Sequence, residues 1–126
     1  MNQFIYFLKP VRPDMVIKGP TPEEAETVSR HFAYLSDLTD KGVMILVGRT
    51  QNNDESTMGI AIFEAKDESA ARKIMENDPA VAGGVMRATL HPYKVALIRK
   101  DTRGLQSRKG RKVDEWRFPV CLSLCW

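Results

Sequence analysis

The 126-residue chain is poor in the side chains that most often carry metal or redox chemistry. It holds two cysteines, Cys121 and Cys125, both near its C-terminal end, and two histidines, His31 and His91. A C-x-x-x-C pair without a second pair falls short of the ligand count of a structural zinc site, and two cysteines do not make a disulfide framework. There is no Gly-x-Gly-x-x-Gly, no phosphate loop, no paired Cys/His spacing and no serine or cysteine in a nucleophile motif. These absences point away from nucleotide, metal and covalent-nucleophile chemistry, so no cofactor and no metal are expected. No apolar run approaches the roughly 18 residues of a membrane span. The opening Met1 to Lys9 lacks the basic start and long apolar stretch of a signal peptide. The expectation is a cytoplasmic protein without a membrane partner.

What is present is ordinary for a globular domain, with 43% hydrophobic and 28% charged residues. The net charge of +3 is unevenly placed. Residues 99–126 carry eight basic and three acidic groups, whereas residues 1–98 carry 11 basic and 13 acidic groups. The expected organisation is therefore a mildly acidic domain over 1–98 and a basic, then apolar, extension over 99–126. A body of that sign does not attract phosphate backbones broadly. Nucleic acid, if bound at all, falls to the stretch Arg99–Lys112, which lacks interleaved aromatics for base stacking and reads better as a solvated tail. The closing Trp116 to Trp126 is apolar enough to dock on the body or on a partner, and the sequence does not choose between them.

Residues 3–8 read as a strand with apolar groups on both faces, ended by Pro10 and Pro13, with a loop through Lys18-Gly19-Pro20. Thr21-Pro22-Glu23-Glu24 combines an N-cap, a first-turn proline and a capping box. The apolar period of Ala25, Val28, Phe32, Leu35 and Leu38 predicts a helix over 22–41, closed by Gly42. Val43 to Gly48 is a short buried-strand run, and Thr57 to Ala65 its hairpin partner across the polar turn 51–56. Asp67 caps a second helix with Ala70, Ala71, Ile74 and Met75 as its buried stripe. A small-residue loop over 80–84 leads to a last strand region, Val85 to Ile98, in which Pro92 marks a bulge or an edge. The order strand-helix-strand-strand-helix-strand predicts a ferredoxin-like α+β sandwich. Both helices then cover one face of the sheet. The other face would be bare yet apolar, which predicts a homodimer packed sheet to sheet.

Four residues are candidates for chemistry. His31 lies about 70° off the apolar centre of its helix, where it is either a half-buried histidine bonded to backbone or a base at a cleft, since imidazole titrates near neutral pH. Asp78 continues the buried stripe of the second helix at an end where the helix dipole opposes negative charge. It either stops that helix before Pro79 or needs a compensating partner such as an imidazole. Arg49, after Gly48 at a strand end, is either solvated or a substrate-facing cation. His91 precedes a proline in a strand, where an edge or bulge role competes with substrate binding.

Phe4-Ile5-Tyr6, His31 before Tyr34-Leu35 and Leu38, Gly42, Val47-Gly48, Asp78-Pro79 before Gly84-Val85, and His91-Pro92 together resemble the YciI-like (YCII-related) family over residues 1–98. The resemblance implies a ferredoxin-like fold that dimerises as an α+β barrel. It also implies an active site built from a histidine and an aspartate, which fall on His31 and Asp78, and relates the chain to a dehydrochlorinase of hydroxylated aromatics. The chain departs from the family pattern at Arg49, where proline often follows the glycine, and at Ala80, where an aromatic often follows Asp-Pro. Two readings result. One is a small-molecule enzyme of lyase or isomerase type, with His31 and Asp78 as its acid–base pair and Arg49 and His91 as substrate-binding groups. The other is a non-catalytic module that holds a small ligand in the same cleft. The catalytic reading requires His31 and Asp78 to meet beside a cavity.

Overall fold

The computed structural model describes residues 1–100, and Cys121, Cys125 and most of the expected basic and apolar extension lie outside the described residues. The elements follow in the order β1 (Asn2–Pro10), α1 (Asp14–Ile17), α2 (Pro22–Asp40), β2 (Met44–Arg49), β3 (Gly59–Ala65), α3 (Glu68–Glu76), α4 (Pro79–Ala82) and β4 (Met86–Tyr93). The four strands form one antiparallel sheet in the order β2-β3-β1-β4. Two split strand-helix-strand units of this order make a ferredoxin-like α+β fold.

Local signals place both long helices. At Thr21 the side chain accepts from the Glu24 backbone N–H, while the Glu24 carboxylate accepts from the Thr21 N–H, so two orphan donors are satisfied reciprocally. The same carboxylate takes a two-pronged contact from Arg12, at 2.9 and 2.6 Å, which ties the 11–20 segment to α2. The Arg12 guanidinium holds the Glu24 carboxyl below the usual carboxylate range. Helix α2 ends with Gly42 at φ +82°, where the Gly42 N–H bonds the Thr39 carbonyl and the Val43 N–H bonds Leu38. That pair of bonds is a Schellman motif, which needs a left-handed residue at the position Gly42 occupies. Asp67 caps α3 by accepting from the Ala70 N–H at 2.8 Å.

Both helices lie on one side of the sheet. Phe4, Tyr6 and Leu8 of β1 and Ala61, Phe63 and Ala65 of β3 share the core with Val28 and Leu35 of α2 and Ala71 and Met75 of α3. Phe63 anchors it, tilted on Phe4 at 6.1 Å and edge-on to Tyr6 at 5.6 Å. The opposite face carries Ile5 and Phe7, paired in register with Ile62 and Ile60 of β3, and Leu46 of β2, which is 45% exposed. At one end of this face Lys9 stands opposite Arg87, two like charges side by side. Strand β1 is thus apolar on both faces.

Four expectations change. The 11–20 loop contains the short α1, whose Met15 is buried in the core. The expected loop after α3 contains α4. The last strand stops at Tyr93, not Ile98, and the chain beyond it is held to β1 by the Val95 N–H on the Gln3 side chain. Of the bulge and the edge expected at Pro92, the structure has the edge, with Pro92 opposite Phe4 in unbroken register. The buried stripe of α2 is also turned from its expected centre: Thr27, Val28, His31 and Leu35 are buried, while Phe32 is half-buried and Ala25 exposed. Replacing Thr21 by Ala is expected to cost about 1 kcal/mol in urea unfolding, with Thr21→Ser close to wild type; equal stability of Thr21→Ala and wild type would remove the capping box from the account.

Candidate active site

Three elements distant in sequence converge on one carboxylate. Asp78 ends the turn after α3 and is the N-cap of α4, where its Oδ1 accepts from the Ala80 N–H at 2.9 Å. The expected conflict with the dipole of α3 is therefore absent. Helix α3 closes at Asn77, and Asp78 stands at the start of the next helix, where negative charge is favoured. Proline at the first position of α4 suits that start, because its missing N–H would have been an orphan. The helix closes through Gly83 and Gly84 with a second Schellman motif, Gly84 taking φ +74°.

His31 lies on the α2 face turned toward α4. Its Nδ1 is 2.6 Å from Oδ1 of Asp78. From β1, the Tyr6 hydroxyl donates to Oδ2 at 2.8 Å. Asp78 thus receives Ala80 N–H, His31 and Tyr6 O–H. An ionised carboxylate only accepts, so the proton of this contact sits on Nδ1. Tyr6 and Asp78 are fully buried and His31 is 3% exposed. This is more burial than the shoulder position on α2 suggested. The cause is α4, which packs against α2 on that side. The approach is close: a methyl group at Gly83 would stand 2.9 Å from the Pro79 carbonyl and 3.3 Å from a Thr27 methyl.

The electrostatics follow from burial. Desolvation, then the charge of Asp78 and the hydrogen bond to it, push the Tyr6 phenol far above its ordinary value, so it stays a donor. Tyr34 on α2 is pushed up to about 12, by burial and then by Asp78, and its hydroxyl donates to the Ile74 carbonyl at 2.7 Å. Among the described residues no buried side-chain polar atom lacks a hydrogen-bond partner.

The structure brings His31 and Asp78 together and leaves the other two candidates elsewhere. His91 pairs with Ile5 on the uncovered face, across the sheet from Tyr6, and its ring meets Phe7 edge-on at 5.7 Å. Arg49, at the end of β2, donates to the Thr50 carbonyl and, at 2.9 Å, to the Asn53 side chain of the β2–β3 turn. One cavity of about 550 Å³ lies at the end of the sheet by Phe4, Asp67, Tyr93 and Lys94, and another of about 200 Å³ lies among Lys9, Asp54, Glu55 and Arg87. Neither is lined by His31 or Asp78. Among the described residues, no cluster of three or more histidine, cysteine or acidic side chains could hold a metal ion, and no helix is long and apolar enough to cross a membrane. Tyr6 is the site residue that sequence reasoning missed. The one available signal was a hydroxyl on the strand face that carries Phe4 and Leu8.

The family model of the YCII-related domain matches residues 4–91. The chain belongs to this family. Among solved structures it is similar to 5-chloro-2-hydroxyhydroquinone dehydrochlorinase (TftG) from Burkholderia phenoliruptrix AC1100, in complex with 2,5-dihydroxybenzoquinone, at 22% identity and a TM-score of 0.56, covering 73% of this chain and 93% of that one. It also matches SnoaB, a cofactor-independent oxygenase from Streptomyces nogalater, at 13% identity and a TM-score of 0.42, covering 80% of this chain and all of that one. No match is found among curated proteins.

A carboxylate buried among three donors makes a specific stability prediction. Asp78→Ala strips a cap and leaves Tyr6 and His31 without their acceptor, an expected loss of about 3–5 kcal/mol in urea unfolding. Asp78→Asn keeps one oxygen to cap α4 and turns its NH2 toward Tyr6, whose hydroxyl then accepts instead of donating, so its loss is expected to be smaller. An Asp78→Ala variant as stable as wild type contradicts the arrangement.

Proposed function

We propose that this chain is a cofactor-independent small-molecule enzyme of lyase or isomerase type, with His31 as general acid–base and Asp78 as the group that orients its imidazole. The observation that supports it is the 2.6 Å contact between His31 Nδ1 and Asp78 Oδ1, which leaves Nε2 as the ring nitrogen for proton transfer. The YCII-related family membership and the resemblance to a dehydrochlorinase in complex with a dihydroxybenzoquinone add to it. In this reading the substrate is a hydroxylated, ring-like molecule. Nε2 takes a proton from one atom and returns it to another, or to a departing group, and the carboxylate stabilises the imidazolium formed between the two steps. Arg49 is assigned the role of holding a substrate oxygen, by turning from its contacts in the β2–β3 turn.

The protein acts as a homodimer in this proposal. The face opposite the helices carries Ile5, Phe7, Leu46, Ile60 and Ile62 across three strands; Ile5 and Ile62 are buried in the single chain, and a second copy packed there covers the exposed Leu46 and the half-buried Phe7 and Ile60. His91, on the same face, then meets the second copy, or a ligand held between the two sheets. The protein is placed in the cytoplasm.

One observation favours a second reading. The pair is closed to solvent in the single chain, and neither described cavity touches it. In that reading the chain binds a small ligand without transforming it, and His31, Asp78 and Tyr6 lock the helices to the sheet.

Two measurements separate these accounts. Incubation with a panel of hydroxylated aromatics and lactones, followed by mass detection, is expected to reveal turnover that His31→Ala lowers by roughly 10²–10⁴-fold. Undiminished turnover in His31→Ala overturns His31 as the general acid–base, and no conversion of any compound that binds supports the second reading. For assembly, Phe7→Lys places a charge in the middle of the uncovered face and is expected to convert a dimer to a monomer in sedimentation experiments. A wild-type protein that sediments as a monomer overturns the dimer.

A further inference from the structure

We propose that Tyr6 is a positioning residue for the His31 imidazole: its hydroxyl holds Oδ2 of Asp78, which leaves Oδ1 for His31 Nδ1 and the Ala80 N–H. The geometry is that of a carboxylate gripped from three sides. Helix α2 supplies His31 at 2.6 Å, α4 supplies the Ala80 N–H at 2.9 Å, and β1 supplies the phenol at 2.8 Å. Of the three, β1 is the most firmly placed, because it pairs with β3 on one side and β4 on the other. The phenol is fully buried, and its ring is fixed edge-on against Phe63. With both oxygens engaged, the carboxylate cannot rotate to exchange them, and the imidazole that bonds to it inherits that orientation.

A phenol that only filled core space would not need its hydroxyl. Phenylalanine has nearly the same shape, yet Phe at position 6 would leave Oδ2 buried without a donor. The hydroxyl has an electrostatic effect as well. By donating to the carboxylate it shares the negative charge that His31 would otherwise meet alone, so it tempers how strongly the pair holds a proton. The titratable groups that feel Asp78 are His31 and Tyr34 on α2 and Tyr6 on β1, and the third donor, from α4, is a backbone amide. Tyr34 is the natural control, since its hydroxyl bonds the Ile74 carbonyl instead of the carboxylate.

The inference rests on the acid–base reading of His31, but it can be read without turnover. Histidine resonances of the full chain are followed by NMR across a pH series, with His31 assigned by its loss in His31→Gln. Tyr6→Phe is expected to move the His31 Nδ1–H resonance downfield and to raise the midpoint of its titration by about one pH unit, close to tenfold in proton affinity. Tyr34→Phe is expected to change neither. A Tyr6→Phe protein that is folded and leaves both signals in place overturns the proposal, as does an equal shift in Tyr34→Phe. If Tyr6→Phe does not fold, wild-type protein made with 3-fluorotyrosine replaces it. The more acidic phenol is a stronger donor, so the midpoint is expected to fall, and an unmoved midpoint overturns the proposal. Once a reaction is found, the pH profile of kcat moves with the titration in Tyr6→Phe while KM holds. Full turnover in His31→Ala would end the acid–base role of His31 and leave the titration result standing.

Discussion

One buried negative charge organises this molecule. Asp78 has no exposed surface, and a carboxylate in that position is tolerated only if donors replace the water it gave up. The fold supplies three, and each comes from a different element. Meeting that demand decides where α4 starts, which face of α2 turns inward and which hydroxyl of the central strand is used. The helix layer is thereby fastened to the sheet at a polar point inside an otherwise apolar core. Apolar packing is tolerant of direction, whereas this contact admits one arrangement, so it gives the layer its register as well as part of its stability.

The same constraint accounts for the shape of the site. In the proposed chemistry, a histidine paired with a carboxylate through Nδ1 has one nitrogen left to act, and the three-sided grip on Asp78 sets which way that nitrogen points. Burial strengthens each of these interactions by lowering the local dielectric. It also shuts the pair away from water, so chemistry at Nε2 depends on the protein opening a path or on a partner surface completing one.

Much of the fold was legible because its signals are local. The capping box at Thr21 and Glu24, the left-handed Gly42 and the Asp67 cap each depend on neighbours within a few residues, and the structure carries all three. The strand order followed from the sequence of elements. What could not be read is long-range or short in extent. The contact between Tyr6 and Asp78 joins opposite ends of the described chain, and no periodicity encodes it. Helix α4 has four residues, fewer than a periodic pattern needs to show itself. Its absence from the sequence reading explains two of the differences: Asp78 was assigned to the wrong helix end, and His31 was expected to be wetter than it is. The inward face of α2 was misplaced because hydropathy gives little weight to Thr27 and His31, which are buried for their polar partner and their close fit rather than for greasiness. His91 was a candidate by residue type alone, and the alternation of β4 puts it on the other side of the sheet.

Strand β1 is an inner strand of the sheet and precedes both of its partners, residues 59–65 and 86–93, so it is synthesised with apolar side chains on both faces and nothing to pair with until β3 follows. For that interval it is a sticky, unpaired ribbon.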